Sequence, residues 1–202
     1  MNCQSILKSM KWCEGRVVKP GIRRKIYGVS NDQILKWPTI QRDELGRPKS
    51  SILSGNFTLV EDAVWSVFQH LPNKAVFKSE SQGEYPSQTF KVTVTFVYPG
   101  VGQEAADATA AFLNTNAAFI VEDMDGNYRV VGSEDYDVTI TSSRDSGQGP
   151  TGTAGTTVTI EASMEVDAPF YIGEIVTEDG TVQAPVLGGK VEAGEKNDHY
   201  AE

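Results

Sequence analysis

Histidine and cysteine, which often supply bases, nucleophiles and metal ligands, are scarce in this chain: it has 2 of each among 202 residues. Cys3 and Cys13 stand ten positions apart, a spacing that matches neither a C-x-x-C motif nor a zinc-ligand pattern. His70 lies in an apolar run and His199 in a polar terminus, and neither belongs to a catalytic motif. We therefore expect no catalytic residue, no metal site, no cofactor and no enzymatic activity.

Acidic residues cluster at two places that resemble sites for calcium or for acid–base chemistry. The segment Asp123-Met-Asp-Gly-Asn127 resembles the opening of a calcium loop, but Glu134 lies beyond a predicted strand and cannot close that loop. An Asp-Gly pair readily adopts the positive φ of a tight hairpin, so we predict a turn at Asp125-Gly126. Glu122 with Asp123, and Glu134 with Asp135 and Asp137, resemble paired carboxylates. They fall on strand edges and turns of an acidic protein, and we interpret them as solvated faces.

The composition fits one domain, or one domain with long arms, because roughly 100–200 residues make a domain. The chain has a mass of 22.0 kDa, is 39% hydrophobic and contains 19 glycines, and its threonines and valines favour strands and turns over helices. No apolar run approaches the ~20 residues needed to cross a bilayer, and residues 1–15 lack the apolar stretch of a signal peptide. We therefore expect no membrane partner, and a protein made in a cytoplasm or assembled from there into a particle.

Charge is distributed unevenly along the chain. Residues 1–50 hold 11 Lys and Arg against 4 Asp and Glu, whereas residues 51–202 hold 7 against 23. A basic arm can meet the acidic surface of another copy, fold back on its own domain or touch nucleic acid. The net charge of −9 argues against wrapping of DNA by the whole protein. The candidate interface residues are Arg16, Lys19, Arg23, Arg24, Lys25 and Trp37.

Alternation and turn signals predict the elements that would position these residues. Residues 88–98 alternate cleanly and predict a half-buried strand, which Pro99-Gly100 ends. An alanine-rich helix over about 103–115, a hairpin over 119–132 and strands over 136–141 and 156–164 follow. We expect a glycine-rich, flexible connection over 142–155.

These elements predict a mainly β fold with one flanking α-helix, an α+β β-sandwich or barrel with an extended N-terminal arm and a long loop. We divide the chain into an arm with linking strands over 1–55, a core over 56–172 and an acidic, glycine-rich C-terminal extension over 173–202. Trp37, followed by a proline and close to basic residues, is equally compatible with the core and with an anchor on a neighbouring subunit.

The order of elements from about residue 88 to residue 171 resembles the major tail (tail tube) proteins of long-tailed bacteriophages. The likeness lies in the strand ending at Pro99-Gly100, the helix, the hairpin with Arg129-Val-Val-Gly132, and the threonine-rich strand before Ala168-Pro-Phe-Tyr171. The opening segments Gly21-Ile-Arg-Arg-Lys-Ile-Tyr27 and Ile34-Leu-Lys-Trp-Pro38 are similar to those of phage or prophage structural proteins from gut Bacteroidetes.

The resemblance implies hexameric rings that stack into a hollow tube, with other tail proteins as partners and with DNA passing through unbound. It also implies a virion protein, part of the tail, that assembles in the bacterial host cytoplasm, and it supplies no catalytic residues. Another neck, tail-terminator or capsid-decorating protein, a related secretion-system tube and a monomeric β-rich binding module remain as alternatives.

Overall fold

A computed structural model describes residues 8–185 as a β-sandwich with one α-helix, which confirms the predicted fold class. In chain order the strands of the first half are β1 (Ile22–Ser30), β2 (Ile34–Lys36), β3 (Thr39–Arg42), β4 (Pro48–Ser54), β5 (Thr58–Leu59), β6 (Ser66–Gln69), β7 (Ala75–Gln82) and β8 (Thr89–Pro99). Helix α1 (Gln103–Ala111) follows, and then come β9 (Ala117–Asp123), β10 (Tyr128–Val131), β11 (Val138–Asp145), β12 (Gly155–Met164), β13 (Phe170–Tyr171), β14 (Glu174–Thr177) and β15 (Gly180–Gln183). A short 3-10 turn, Asn31–Gln33, joins β1 to β2.

Two larger sheets form the sandwich. The seven-stranded sheet has the order β3-β4-β13-β10-β9-β1-β6, and the four-stranded sheet has the order β11-β12-β8-β7. Neighbouring strands are antiparallel except β13 and β4, which run parallel. Two small antiparallel pairs, β2 with β5 and β14 with β15, form separate two-stranded sheets.

The first core lies between the two large sheets, and β8 shows how the sequence builds it. Val92, Val94 and Phe96 are almost fully buried, while the residues between them are only partly covered. Alternating side chains of a strand point to opposite faces, so the apolar face of β8 meets the other sheet. The predicted half-buried strand is confirmed.

A second core covers the opposite face of the seven-stranded sheet. Trp65, Phe57, Ile175 and other apolar side chains of the two small pairs and their linkers pack there against β1, β9 and β10. Strand β9 is therefore buried on both faces from Ala117 to Glu122. A strand that is covered on both faces typically has a continuous apolar sequence. The sequence of β9 is apolar from Ala117 to Val121, and Glu122 follows.

The local predictions for the second half are confirmed with small shifts. Gly126, in the turn between β9 and β10, has φ of 87°, as the Asp-Gly signal requires. Helix α1 ends at Ala111, four residues before the predicted end, and Leu113, beyond the helix, is 72% exposed. The predicted flexible connection over 142–155 is too long, because residues 142–145 pair with β12 and leave a tip over 146–154.

The structure moves both predicted domain boundaries. We expected residues 1–55 to form an arm with linking strands, but β1 pairs with both β9 and β6 inside the large sheet, and β4 pairs with β13. The arm described by the structure is therefore residues 8–21, all of them exposed. The predicted C-terminal extension also begins too early, because β14 places Ile175 in the second core with no exposed surface. Residues 186–202 lie outside the described part of the chain.

Candidate functional site

The basic residues of β1 stand on a bulge at the edge of the second core. Ile22 pairs with Asp123 of β9 and Ile26 pairs with Val121, so three residues of β1 face Glu122 alone. Extra residues in one strand break the ladder and turn side chains outward. Arg23, Arg24 and Lys25 are accordingly exposed. The residues on either side of them, Ile22 and Ile26, are buried. We call these three residues the basic bulge.

His70, the residue after β6, holds the backbone of the basic bulge. Its Nε2 lies 2.8 Å from the carbonyl oxygen of Arg23, and its backbone N–H donates to the carbonyl oxygen of Arg24 over 3.1 Å. Its Nδ1 lies 3.0 Å from the carbonyl oxygen of Leu71, and the residue is only 5% exposed. A neutral imidazole has one N–H, so the tautomer decides which of the two carbonyl groups the ring donates to, whereas the backbone hydrogen bond to Arg24 is independent of it. His70 therefore has a structural role in keeping the bulge in place.

Arg23 pairs with Glu122 of its own chain, at 3.2 Å from Nη1 to Oε1. The Glu122 side chain is 12% exposed, so the interpretation of this carboxylate as solvated is wrong: it lies on β9, which is buried on both faces. Burial raises the pKa of Glu122 against the opposing effect of Arg23. Burial, together with the charge of Glu122, also raises the pKa values of the phenols Tyr27 and Tyr128. Arg24 and Lys25 of the basic bulge form no ion pair with any of the described residues. These two cations are therefore available to a partner.

The arm exposes apolar and basic side chains side by side. Met10, Trp12 and Val17 are 99%, 74% and 81% exposed. Arg16, one of the predicted interface residues, is exposed, and Lys19 lies in a shallow cavity of about 270 Å³ beside Asp123. The arm therefore keeps most of its apolar surface uncovered in a single copy.

Trp37 belongs to the second core of its own chain. Its ring meets Phe57 edge-on with 5.3 Å between ring centroids, and it is half-buried. Aromatic pairs in this arrangement stabilise a core beyond the area that they bury. Trp37 therefore packs against the core of its own chain, and it also lines a surface groove.

That groove has an apolar floor and an acidic rim. Its volume is about 300 Å³. The rim carries Glu134, Asp135 and Glu165, the last in a two-fold hydrogen bond with Arg42 at 2.8 and 2.5 Å. This pairing lowers the pKa of Glu165 and keeps it ionised. Across residues 8–185 no lysine or arginine forms an ion pair with Glu134 or Asp135. We call this site the acidic groove.

A larger cavity, of about 450 Å³, lies between α1 and the strands β6, β8 and β12. Phe68, Phe96 and Phe112 form much of its apolar wall. At its rim the hydroxyl of Tyr98 donates to Glu104 over 2.7 Å, which ties the start of α1 to β8. This shape suits an apolar side chain or a small ligand.

The segment that resembles a calcium loop is a hairpin turn, as predicted. Asp123 Oδ1 accepts the backbone N–H of Asp125 at 3.0 Å and that of Asn127 at 2.9 Å, so the turn uses this carboxylate itself. Residues 8–185 contain no group of three or more histidine, cysteine or acidic residues placed to hold a metal ion. Cys13 is an exposed free thiol, whereas Cys3 and His199 lie outside the described residues.

Sequence reasoning named the residues of the basic bulge and Trp37 as interface candidates, but it placed the bulge in an arm and not in the large sheet. It missed the acidic groove and the role of His70. The groove joins residues from positions 37 to 169, and no local pattern links them.

The described helix is nine residues long, and no helix within residues 8–185 is both long and apolar enough to cross a membrane. Comparisons with protein-family models, curated proteins and solved structures found no match for this chain.

Proposed function

We propose that this chain is a structural protein that assembles with copies of itself into stacked hexameric rings and so forms the tail tube of a long-tailed bacteriophage. The observation that carries the proposal is the arm, which exposes large apolar and basic side chains together and leaves the sandwich at β1. Exposed apolar surface of this kind is typical of protein-interaction segments. A second copy is the partner that the uneven charge of the chain favours.

The sheet edges are compatible with this assembly. Strands β3 and β6 end the seven-stranded sheet, and β7 and β11 end the four-stranded sheet. Open edges offer unpaired backbone groups to a neighbouring copy, and a closed ring removes that exposure. An acidic body facing the lumen would repel phosphates and let DNA pass without specific binding. In this proposal the protein resides in the virion tail and has no enzymatic role.

A monomeric binding module is the second candidate, and the 450 Å³ cavity beside α1 is the observation that favours it. Negative-stain microscopy of the purified protein separates the two. Tubes or sixfold rings are expected for a tail tube. Discrete closed caps would point to another neck or terminator protein, and monomers at all concentrations would contradict self-assembly.

Charge reversal on the basic bulge tests the role of the arm root in that assembly. Arg24→Glu with Lys25→Glu should slow or abolish polymerisation and leave the monomer folded, because both side chains are exposed. Each exposed ion pair contributes only ~0.2–1 kcal/mol, but the contact repeats around every ring. Arg23 is left unchanged, since reversing it would place two carboxylates together beside buried Glu122.

The matched control is Lys36→Glu with Lys74→Glu, which makes the same charge change at two exposed lysines outside the bulge. Light scattering at low and high salt gives the assembly rate, and circular dichroism checks the fold. Added salt should slow assembly of the wild type through screening. Normal assembly of the bulge variant at low salt would refute a role for these cations.

A further inference from the structure

The acidic groove has the composition of a docking site that the single chain leaves open. Its floor is apolar, and its lining includes Trp37, Ile40, Leu53, Val130, Val166 and Pro169. The lining includes three carboxylates, at the rim, and one cation, Arg42, so the rim carries a net charge of −2. A ligand that fits it must present apolar side chains flanked by cations.

The arm presents this pattern. Residues 8–21 contain four cations and one acid, and the cations alternate with the exposed apolar residues Met10, Trp12, Val17 and Val18. Tryptophan is among the residues that most often anchor a protein interface, because its ring buries a large area in a pocket. The segment is therefore complementary to the acidic groove in both polarity and charge.

The arm is also long enough to leave its own sandwich. Trp12 stands ten residues before Ile22, the first residue of β1. An extended chain rises about 3.3 Å per residue, so Trp12 can reach roughly 30 Å from its root. Within one copy Lys8 donates to the carbonyl oxygen of Lys49 over 2.6 Å, yet Trp12 remains 74% exposed. The position of the arm on its own chain thus leaves its apolar anchors uncovered.

We infer that residues 10–19 of one copy dock in the acidic groove of a neighbouring copy, with Trp12 on the apolar floor and the arm cations at Glu134 and Asp135. This inference rests on the self-assembly proposed above and names the surface that receives the arm. Docking back into the groove of the same chain is the competing arrangement, and the experiment separates the two.

Disulfide trapping uses the native thiol of the arm. Cys13 is one residue from Trp12, and Thr39 is exposed on β3 at the groove. Thr39→Cys is made in a Cys3→Ser background, assembled, and oxidised. Docking between copies should give a ladder of covalent multimers on a non-reducing gel. A monomer with a shifted mobility would show docking within one chain and would overturn the inference.

The matched control is Ser143→Cys, an exposed position on the β11–β12 hairpin away from the groove, which should give no ladder. Assembled rings or tubes without a Thr39→Cys ladder would overturn the groove inference and leave the proposed function standing. Absence of any assembly, in the wild type as well, would refute the proposed function, and the inference would fall with it.

Trp12→Ala supplies a second readout that does not depend on a disulfide. Loss of an interface anchor should weaken association of copies at least ~30-fold, measured as the protein concentration at which assembly begins. The variant should unfold like the wild type, since Trp12 is exposed in the single chain. Asp135→Lys should weaken assembly in the same direction, and double substitution with Arg16→Glu should restore part of it. Unchanged assembly in Trp12→Ala would contradict the inference.

Discussion

Replacing Gly28 by alanine is expected to destabilise the fold, because this glycine lets two aromatic rings close over β1. A Cβ atom at position 28 would lie 2.8 Å from Cε1 of Phe119 and 2.8 Å from Cε2 of Phe68. Ordinary van der Waals contacts of a Cβ fall at 3.4–4 Å, so both rings must move away from β1. Phe119 is 1% exposed among the side chains of the first core, so its ring can move only if its neighbours move too.

The size of the effect follows from two opposing terms. Extra volume in a packed core costs about 1–3 kcal/mol. An alanine at a compatible backbone geometry restores about 0.4–1 kcal/mol by restricting the unfolded chain. The net loss should be about 1–2 kcal/mol, which lowers Tm by roughly 2–8 °C in a chain of this size.

Urea unfolding followed by circular dichroism measures this change in the free energy of unfolding. The same substitution is then made in Phe68→Leu and in Phe119→Leu backgrounds, where a smaller side chain leaves room for the added methyl group. The cost of Gly28→Ala should fall in both backgrounds. A neutral Gly28→Ala, or a cost that is equal in all three backgrounds, would refute the steric explanation.

Two further predictions concern ionisation and chain order. Burial raises the pKa of Glu122, so its ionisation costs stability as the pH rises through the folded-state pKa. The free energy of unfolding of Glu122→Gln should therefore increase relative to that of the wild type between pH 4 and pH 7, as measured by chemical unfolding. A difference between the two proteins that stays constant with pH would mean that Arg23 fully offsets the burial. The β11–β12 tip over 146–154 should exchange its amide hydrogens quickly in the monomer and slowly after assembly, because ordering costs ~1–2 kcal/mol per residue and needs new contacts. Equal protection in both states would exclude the tip from the assembly contacts.

Sequence alone predicted the elements whose signals are local. The strict alternation that ends at Pro99 specifies a strand with one buried face, and the Asp125-Gly126 pair specifies a tight turn. Both signals depend on neighbouring residues and need no knowledge of the partner strands. The same holds for α1, although the helix ends earlier than its alanines suggested.

The place of β1 was not predictable in the same way, because its pattern is interrupted. The three cations of the basic bulge look like part of an exposed arm, whereas the four residues after them are buried. The run Ile26–Val29 was the available signal, since a continuous apolar segment is typical of a strand covered on both faces. The acidic groove left no signal of this kind, because the chain brings its floor and rim together from distant positions.

The contact between His70 and the basic bulge links the stable core to the exposed arm. His70 fixes the carbonyl groups of Arg23 and Arg24, and the arm leaves the sandwich immediately before them. Every copy therefore sends its arm out from the same point of the sandwich, although residues 8–21 themselves are exposed. A tethered segment finds its site at a high effective concentration when the length and position of the tether match the distance to be spanned. Because closed rings need identical contacts between copies, a fixed root with an adaptable arm favours one repeated interface over many irregular ones.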